Sequence, residues 1–306
     1  GDGHPGIVSS AAVGTLAAVT ALAALLGAVD AEVGSLTPRQ KAALVVVSGL
    51  PAPPGVGGVF VRSERDPRPP GALVFTDQEG GLVKDLPSLP PWRAASGYAS
   101  AAQARAAGRE TGRALRRAGV HVDLAPVLDA PSGPLGSRHF QAPSLGVAFG
   151  RGLLDGGAGA CAKHFPGLGS APVSTDERVH VTARVTQAEL AGFRAAVRAG
   201  FPCVMVGHAF YGSLGSFRAT LEPATYRLLR SLGFRGVAIT DSMNIVRNTP
   251  WYWPTRAIRA GADMLLYTHP AYARRAIEAL VPLARRGELD AKVARVLRLR
   301  REYDVG

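Results

Sequence analysis

The chain has 306 residues, of which 47% are hydrophobic and 19% are charged, so it can bury a large core and is not disordered. The 37 glycines and 23 prolines indicate many tight loops but fall short of a low-complexity composition. The formal net charge is +12. The basic residues are scattered rather than clustered with aromatic residues, which argues against a nucleic-acid partner.

The first element is an apolar segment, Pro5–Val29, which carries no charge and is long enough to cross a bilayer. No basic cluster precedes it and no clear cleavage signature follows it, so we interpret it as an alanine-rich helix packed on the domain. A processed or anchored precursor is the alternative. We therefore divide the chain into an N-terminal apolar helical segment over residues 1–34 and a single domain over residues 35–306.

Eight short apolar runs follow, separated by polar or glycine-rich loops. Nearly continuous apolar runs are typical of strands that are buried on both faces of a parallel sheet. Eight of them predict an α/β fold of the TIM type, a (β/α)8 barrel. The runs are Ala43–Leu50, Val56–Val61, Ala72–Thr76, Val120–Val127, Gly159–His164, Cys203–His208, Gly236–Asp241 and Asp263–Tyr267.

Helices are predicted between the later runs, but not between the first three. The connectors Pro51–Gly55 and Arg62–Gly71 are too short for crossover helices. Either the barrel is irregular in its first strands or residues are absent from the sequence. The predicted helices are Ser100–Ala118, Gln187–Ala199, Pro223–Leu232 and an amphipathic closing helix around Leu289–Leu297.

The two cysteines, Cys161 and Cys203, each lie in a predicted strand. Free cysteines are commonly buried, so we expect two reduced core residues. A disulfide between neighbouring strands is the alternative.

Polar residues gather where the apolar runs end, and the carboxyl ends of barrel strands form the active-site face. Charged groups at so many strand ends are costly unless they serve a pocket, so together they favour a functional site. They are Asp77, Glu79, Asp129, Lys163, His164, His208 and Asp241.

Five motifs in order resemble family 3 glycoside hydrolases, specifically the single-domain bacterial β-N-acetylglucosaminidase branch. The resemblance extends from about Leu36 to Val305. It implies a TIM-type barrel without a cofactor or metal that hydrolyses a β-linked sugar with retention, on a small-molecule or cell-wall carbohydrate. The motifs are Asp77–Gly81 (DQEGG), Ala125–Asp129 (APVLD), Lys163–Gly167 (KHFPG), Val204–His208 (VMVGH) and Gly233–Asp241 (GFRGVAITD).

The resemblance also implies roles for individual residues. Asp241 matches the nucleophile that forms a glycosyl-enzyme intermediate, and a nearby cation would keep it ionised. Asp77, Lys163 and His164 match residues that hydrogen-bond the sugar next to the scissile bond. Arg138 matches the family's sugar-binding arginine.

The acid/base motif departs from that pattern. Leu168 replaces a histidine of the usual sequence, and Arg178 stands where the catalytic histidine of a histidine–aspartate dyad belongs. Arginine cannot donate and reclaim a proton at neutral pH. Asp176 aligns with the dyad aspartate. The remaining candidates for the proton donor are Glu177 and, less well placed in register, His180.

Two further residues are assigned to substrate binding. His208 ends the sixth run. Trp251 opens the motif Trp251–Trp253 after the nucleophile strand and can serve as a platform for a second sugar, or the three aromatics can fill a pocket at the barrel rim.

Two other functions stay open. The first is a non-catalytic glycan-binding protein that has lost the acid/base histidine. The second is a metal-dependent hydrolase using His164, His208 and Asp241, which is disfavoured because closely spaced histidines are missing. No clear membrane association is predicted, and the oligomeric state is left open. Localisation stays open between the bacterial cytoplasm and export, with export favoured.

Overall fold

The computed structural model describes residues 27–244 and 251–306. Its central feature is a sheet of eight parallel strands, which stand at the eight predicted positions and confirm the barrel. In chain order the strands are β1 (Val46–Ser48), β2 (Gly58–Phe60), β3 (Leu73–Thr76), β4 (Val122–Asp123), β5 (Gly159–Phe165), β6 (Cys203–Val206), β7 (Val237–Thr240) and β8 (Leu265–Tyr267).

The sheet curves into a ring. The strand order is β7-β6-β5-β4-β3-β2-β1-β8, so each strand lies beside its neighbours in sequence and β8 returns to β1. The ring closes where Ile239 of β7 bridges Met264, the residue before β8, and the Thr240 amide donates to the Met264 carbonyl oxygen at 3.0 Å. All eight carboxyl ends therefore open at one mouth.

Eight helices with named bounds surround this ring within the described residues. Several begin as their sequences dictate: Thr37 and Gln40 form a capping box before α1, and Ser100 caps α2. The helices are α1 (Pro38–Leu44), α2 (Ala101–Arg117), α3 (Pro143–Asp155), α4 (Gln187–Arg198), α5 (Pro223–Ser231), α6 (Trp253–Ala260), α7 (Pro270–Arg285) and α8 (Asp290–Glu302).

The barrel is irregular in its first strands, which is one of the two alternatives that the short connectors left open. No helix separates β1 from β2 or β2 from β3, although both pairs are parallel. Proline-rich loops make these connections instead. They carry Pro51, Pro53, Pro54, Pro67, Pro69 and Pro70.

The N-terminal segment falls mostly outside the described residues. Of the predicted span over residues 1–34, residues 1–26 are not described and residues 27–34 belong to a helical stretch that continues to residue 35. Its Val29 and Val33 are buried. Over residues 27–244 and 251–306, no helix combines the length and apolarity needed to cross a membrane.

The barrel interior is filled by inward side chains, including Phe60, Phe75, Leu124, Met205 and Ile239. Cys161 and Cys203 belong to this cluster and are register partners on β5 and β6. They form a disulfide with a Cα–Cα distance of 4.3 Å. The expectation of two reduced cysteines was therefore wrong, because adjacent register positions on neighbouring strands bring the two sulfurs within bonding reach.

Helices α2 and α3 touch backbone to backbone. Gly108 and Gly112 of α2 face Gly152 and Gly156 of α3, and a Cβ at Gly152 would lie 2.2 Å from the Arg105 carbonyl oxygen. Only glycine permits this approach. The contact fixes the position of α3, which packs on β5, the strand that carries Lys163 and His164.

Candidate active site

The segment after β3 is a tight hairpin that places two acids at the mouth. Gln78–Gly80 pairs with Val83–Lys84, and the Gln78 amide group bonds the backbone at Leu86 through both its ends. Gly80 has a φ of 92°, and a Cβ there would lie 2.3 Å from the Arg93 carbonyl oxygen. The glycines of the DQEGG motif are thus required by the turn.

A buried ion network joins the hairpin to two cations. Lys163 Nζ, at the end of β5, lies 2.5 Å from Asp77 Oδ1 and 2.6 Å from Glu79 Oε1. Arg138 binds Glu79 with two parallel hydrogen bonds of 2.8 and 2.9 Å. Lys163 and Glu79 are almost fully buried, whereas the Asp77 side chain is 26% exposed and faces the open mouth.

These contacts fix the charges. Burial opposes ionisation of Glu79, but the charges of Lys163 and Arg138 outweigh it and lower its pKa to about 2. Burial likewise opposes the charge of Lys163, but Asp77 and Glu79 raise its pKa above the ordinary value. Glu79 is therefore a carboxylate and Lys163 a cation at neutral pH.

His164 forms a pair with Asp129, which follows β4. His164 Nδ1 lies 2.7 Å from Asp129 Oδ2, and the same carboxylate accepts from the backbone amides of His164 and Leu168. Burial works to lower the pKa of His164, but Asp129 raises it overall. His164 Nε2 bonds no described residue, so this nitrogen is available to a ligand.

Asp241 follows β7 and stands 9% exposed beside the same group of residues. Its Oδ1 accepts from the Ser242 amide at 2.7 Å. Burial raises its pKa, but His208, His164, the Ser242 amide and Lys163 together bring it below the ordinary value. Asp241 is therefore held as a carboxylate within reach of the charges around Lys163.

His208 takes a different position from the one its predicted substrate-binding role needs. Its ring is fully buried, with Nε2 3.0 Å from the Ser242 carbonyl oxygen and Nδ1 2.9 Å from Thr220 Oγ1. Because a carbonyl only accepts, Nε2 carries the hydrogen and Nδ1 accepts from Thr220. Neither nitrogen is left for a sugar, and His208 instead supports the Asp241–Ser242 turn.

The three acid/base candidates lie on the loop after β5, and all are exposed. Asp176 Oδ2 lies 3.9 Å from Arg138 Nη1 and is thereby connected to the ion network. The Glu177 amide donates to the Ser174 carbonyl oxygen. The His180 ring stacks on Phe210, with centroids 4.3 Å apart.

Two acids beside the network were not recognised as site residues from the sequence. Asp123, the last residue of β4, accepts a hydrogen bond from the backbone amide of Gln78. Burial raises the pKa of Asp123 well above the ordinary value. Asp85 accepts from the Asp77 amide at 3.1 Å. Burial, and then the charge of Asp77, raise the pKa of Asp85 to about 6. The hairpin pairing places Asp85 beside Asp77, which no motif signals.

Trp251 lies apart from the ion network. Its side chain is 83% exposed and meets Tyr252 edge to face, with centroids 6.0 Å apart. Among the described residues, no group of three histidine, cysteine, aspartate or glutamate side chains is arranged to hold a metal ion.

Comparison with known proteins places this barrel in a family. The sequence profile of the Glycosyl hydrolase family 3 N terminal domain matches residues 59–299. The chain therefore belongs to glycosyl hydrolase family 3 and is a glycosidase, with a carbohydrate substrate.

Its relatives narrow the class further. The chain is 32% identical over 269 residues to a β-hexosaminidase of Thiobacillus denitrificans, covering 72% of this chain and 74% of that protein. It is 28% identical over 320 residues to the β-hexosaminidase LpqI of Mycobacterium tuberculosis, covering 85% and 82%. The crystal structure of the β-N-acetylhexosaminidase from Beutenbergia cavernae matches 86% of this chain and 98% of its own, with a TM-score of 0.75 and 26% identity.

Proposed function

We propose that this protein is a retaining glycosidase that removes a β-linked N-acetylglucosamine or a related β-hexoside, with Asp241 as its nucleophile. The observation that carries the proposal is the ionised Asp241 at the barrel mouth, within the field of Lys163 and His164. The β-hexosaminidase names of its relatives support the choice of sugar.

The ion network supports a role in holding the sugar. Asp77 accepts hydrogen bonds from sugar hydroxyls, while Lys163, Arg138 and His164 Nε2 donate to ring oxygens and hydroxyls from other sides. Because Glu79 forms ion pairs with both Arg138 and Lys163, these two side chains keep their positions when no ligand is bound. A preformed set of this kind orients the anomeric carbon toward Asp241.

The reaction then proceeds in two displacements. An Asp241 oxygen attacks the anomeric carbon, the glycosidic bond breaks, and the leaving oxygen takes a proton from a carboxylic acid. Water subsequently attacks the same carbon, gives its proton to that carboxylate and releases Asp241. A retaining enzyme needs its two carboxyl groups about 5–5.5 Å apart.

Asp176 is our first candidate for the proton donor and Glu177 the second. Asp176 is connected to the sugar-binding network, because its Oδ2 lies 3.9 Å from Arg138 Nη1. Its exposure fits a group that acts only when the substrate has excluded water.

Two substrates separate the roles of these acids. Nitrophenyl β-N-acetylglucosaminide releases nitrophenolate readily without a proton, whereas the leaving sugar of a β-linked N-acetylglucosamine dimer requires one. Asp241→Asn should abolish turnover of both. Asp176→Asn should slow the dimer by about 10²–10⁴-fold and the nitrophenyl substrate far less. Glu177→Gln is the matched control, and the reverse pattern would move the proton donor to Glu177.

A second candidate, a glycan-binding protein without catalysis, is favoured by two features of the loop after β5. Arg178 replaces the expected histidine, and Asp176 and Glu177 are solvent-exposed. This function predicts that both sugars bind by calorimetry, that neither is cleaved, and that Asp241→Asn leaves binding intact and changes no rate.

A further inference from the structure

A separate cleft opens outside the ring of strands, between α6 and α7. Its volume is about 260 Å³, and its lining includes Trp251, Tyr267, Tyr272 and Arg275. None of these residues belongs to the ion network around Lys163. Tyr267 ends β8, and its ring packs in the layer between the strands and the helices, so the cleft lies beside the barrel mouth and not inside it.

Aromatic faces form the entrance of the cleft. Trp251 is 83% exposed and Tyr272 40% exposed, and both lie at the same opening. Side chains of this kind combine a flat apolar face with a polar edge. Such faces match the C–H face of a pyranose ring. Behind the aromatic side chains, the cleft is lined by alanines of α7, whose small side chains leave room for the sugar ring.

One residue of the cleft lining, Tyr267, carries an unsatisfied hydroxyl. Tyr267 is 2% exposed, and its hydroxyl is buried without a hydrogen-bond partner among the described residues. Buried hydroxyls almost always have a partner, so this one calls for an explanation. Burial also raises the pKa of Tyr267, so the hydroxyl remains protonated and can donate. The Arg275 guanidinium, exposed at the rim, adds further donors.

We propose that this cleft is a second carbohydrate site that holds one pyranose ring of a β-linked N-acetylglucosamine chain. The ring stacks on Trp251 and accepts a hydrogen bond from Tyr267. The volume lies below the range of about 300–1,000 Å³ of pockets for drug-sized ligands, which suits a single sugar ring. The choice of sugar rests on the proposed function, whereas the existence of the site rests on the cleft alone.

The test measures binding of the β-1,4-linked N-acetylglucosamine trimer by calorimetry. The protein carries Asp241→Asn, so that the trimer is not consumed, and Asp77→Asn, which weakens binding in the barrel. We expect binding to persist in this protein and to weaken by about tenfold when Trp251→Ala is added, a loss of the size of one aromatic contact. Tyr267→Phe, which removes only the hydroxyl, should weaken it as well.

Trp92→Ala is the matched control. Trp92 is 62% exposed and packs against Lys84 on the hairpin, away from the cleft. Its loss should leave trimer binding unchanged. Because Trp251 is exposed and Tyr267→Phe keeps the ring, neither variant should disturb folding, which circular dichroism will verify.

The outcomes separate the two proposals. If the protein with Asp241→Asn no longer binds the trimer once Asp77→Asn is added, or if Trp251→Ala and Tyr267→Phe leave binding intact, the cleft is not a sugar site. The proposed function is then still tested by its own turnover assay. If the wild-type chain cleaves no β-glycoside but binds the trimer through Trp251 and Tyr267, the cleft proposal holds and the proposed function fails.

Discussion

Glu79 is the buried anion on which both sugar-facing cations depend, and its replacement by glutamine is the most informative perturbation of the fold. The pKa of Glu79 falls from an ordinary 4.5 to about 2. At about 1.4 kcal/mol per pKa unit, this difference corresponds to about 3 kcal/mol of stability at neutral pH. Breaking a buried ion pair on one side costs a similar amount, about 3–5 kcal/mol.

The sign of the pH dependence follows from the lowered pKa. The stabilisation is complete above pH 4.5 and disappears as the pH falls toward 2, because Glu79 then takes up a proton in both states. The free energy of unfolding of Glu79→Gln should therefore be lower than that of the wild type by about 3 kcal/mol at pH 7. This difference should become smaller below pH 4.5. The substitution should also raise KM, because Lys163 and Arg138 lose their common anchor.

Urea unfolding from pH 7 down to the lowest pH that keeps the native state measures this gap. Asp176→Asn is the control, since it removes an exposed partner of Arg138 and should change the free energy of unfolding by less than about 1 kcal/mol. A gap below about 1 kcal/mol at pH 7, or a gap that does not change with pH, would refute the assignment of Glu79 as the anchor of the network.

Further substitutions test three other parts of the structure. Asp85 has a pKa of about 6 against an ordinary 3.8, so ionising it in the fold costs about 3 kcal/mol at pH 7. Asp85→Asn should therefore stabilise the protein at pH 7, and urea unfolding should show no gain below pH 4. The disulfide closes a loop with a sequence separation of 42, and replacing Cys161 and Cys203 by alanine should lower the free energy of unfolding by about 4 kcal/mol. Two free thiols found by alkylation and mass spectrometry of the native protein would contradict the bond itself. Gly152→Ala should lower the melting temperature although alanine favours helices by about 1 kcal/mol, because the new Cβ meets a carbonyl oxygen of α2 at 2.2 Å. Gly34→Ala, in a helical stretch with open space around it, should raise the melting temperature or leave it unchanged.

The sequence predicts the barrel well because each strand is a short apolar run that must be buried on both faces. The hairpin partners were harder to foresee. Glu79 was recognised as a polar residue at a strand end, but its pairing with Lys163 and Arg138 joins residues 59 to 84 positions apart. Asp85 reaches the site only through the register of a two-residue strand, and such a register leaves no periodic signal.

His208 and the cysteines show where residue type misleads. A histidine at a strand end suggests a ligand contact, yet Thr220 and the Ser242 carbonyl oxygen occupy both of its nitrogens. Two cysteines in separate runs suggest ordinary core residues, and only the alignment of β5 with β6 reveals that they face each other. In each case the deciding partner is distant in sequence, so a local pattern cannot name it.

The proline-rich connectors around β2 have a consequence for how this side of the barrel resists distortion. Elsewhere a packed helix braces each strand, but here six pyrrolidine rings restrict the backbone directly. Such loops have few conformations to lose on folding, so their rigidity comes from covalent geometry rather than from burial. This wall also reaches the polar cluster, because its second connector carries Arg62, whose Nε lies 3.8 Å from Asp85 Oδ1, and Glu64, which accepts a hydrogen bond from the Ser88 amide. Sequence exchanged on the outer surface here should therefore keep these two contacts as well as the rings.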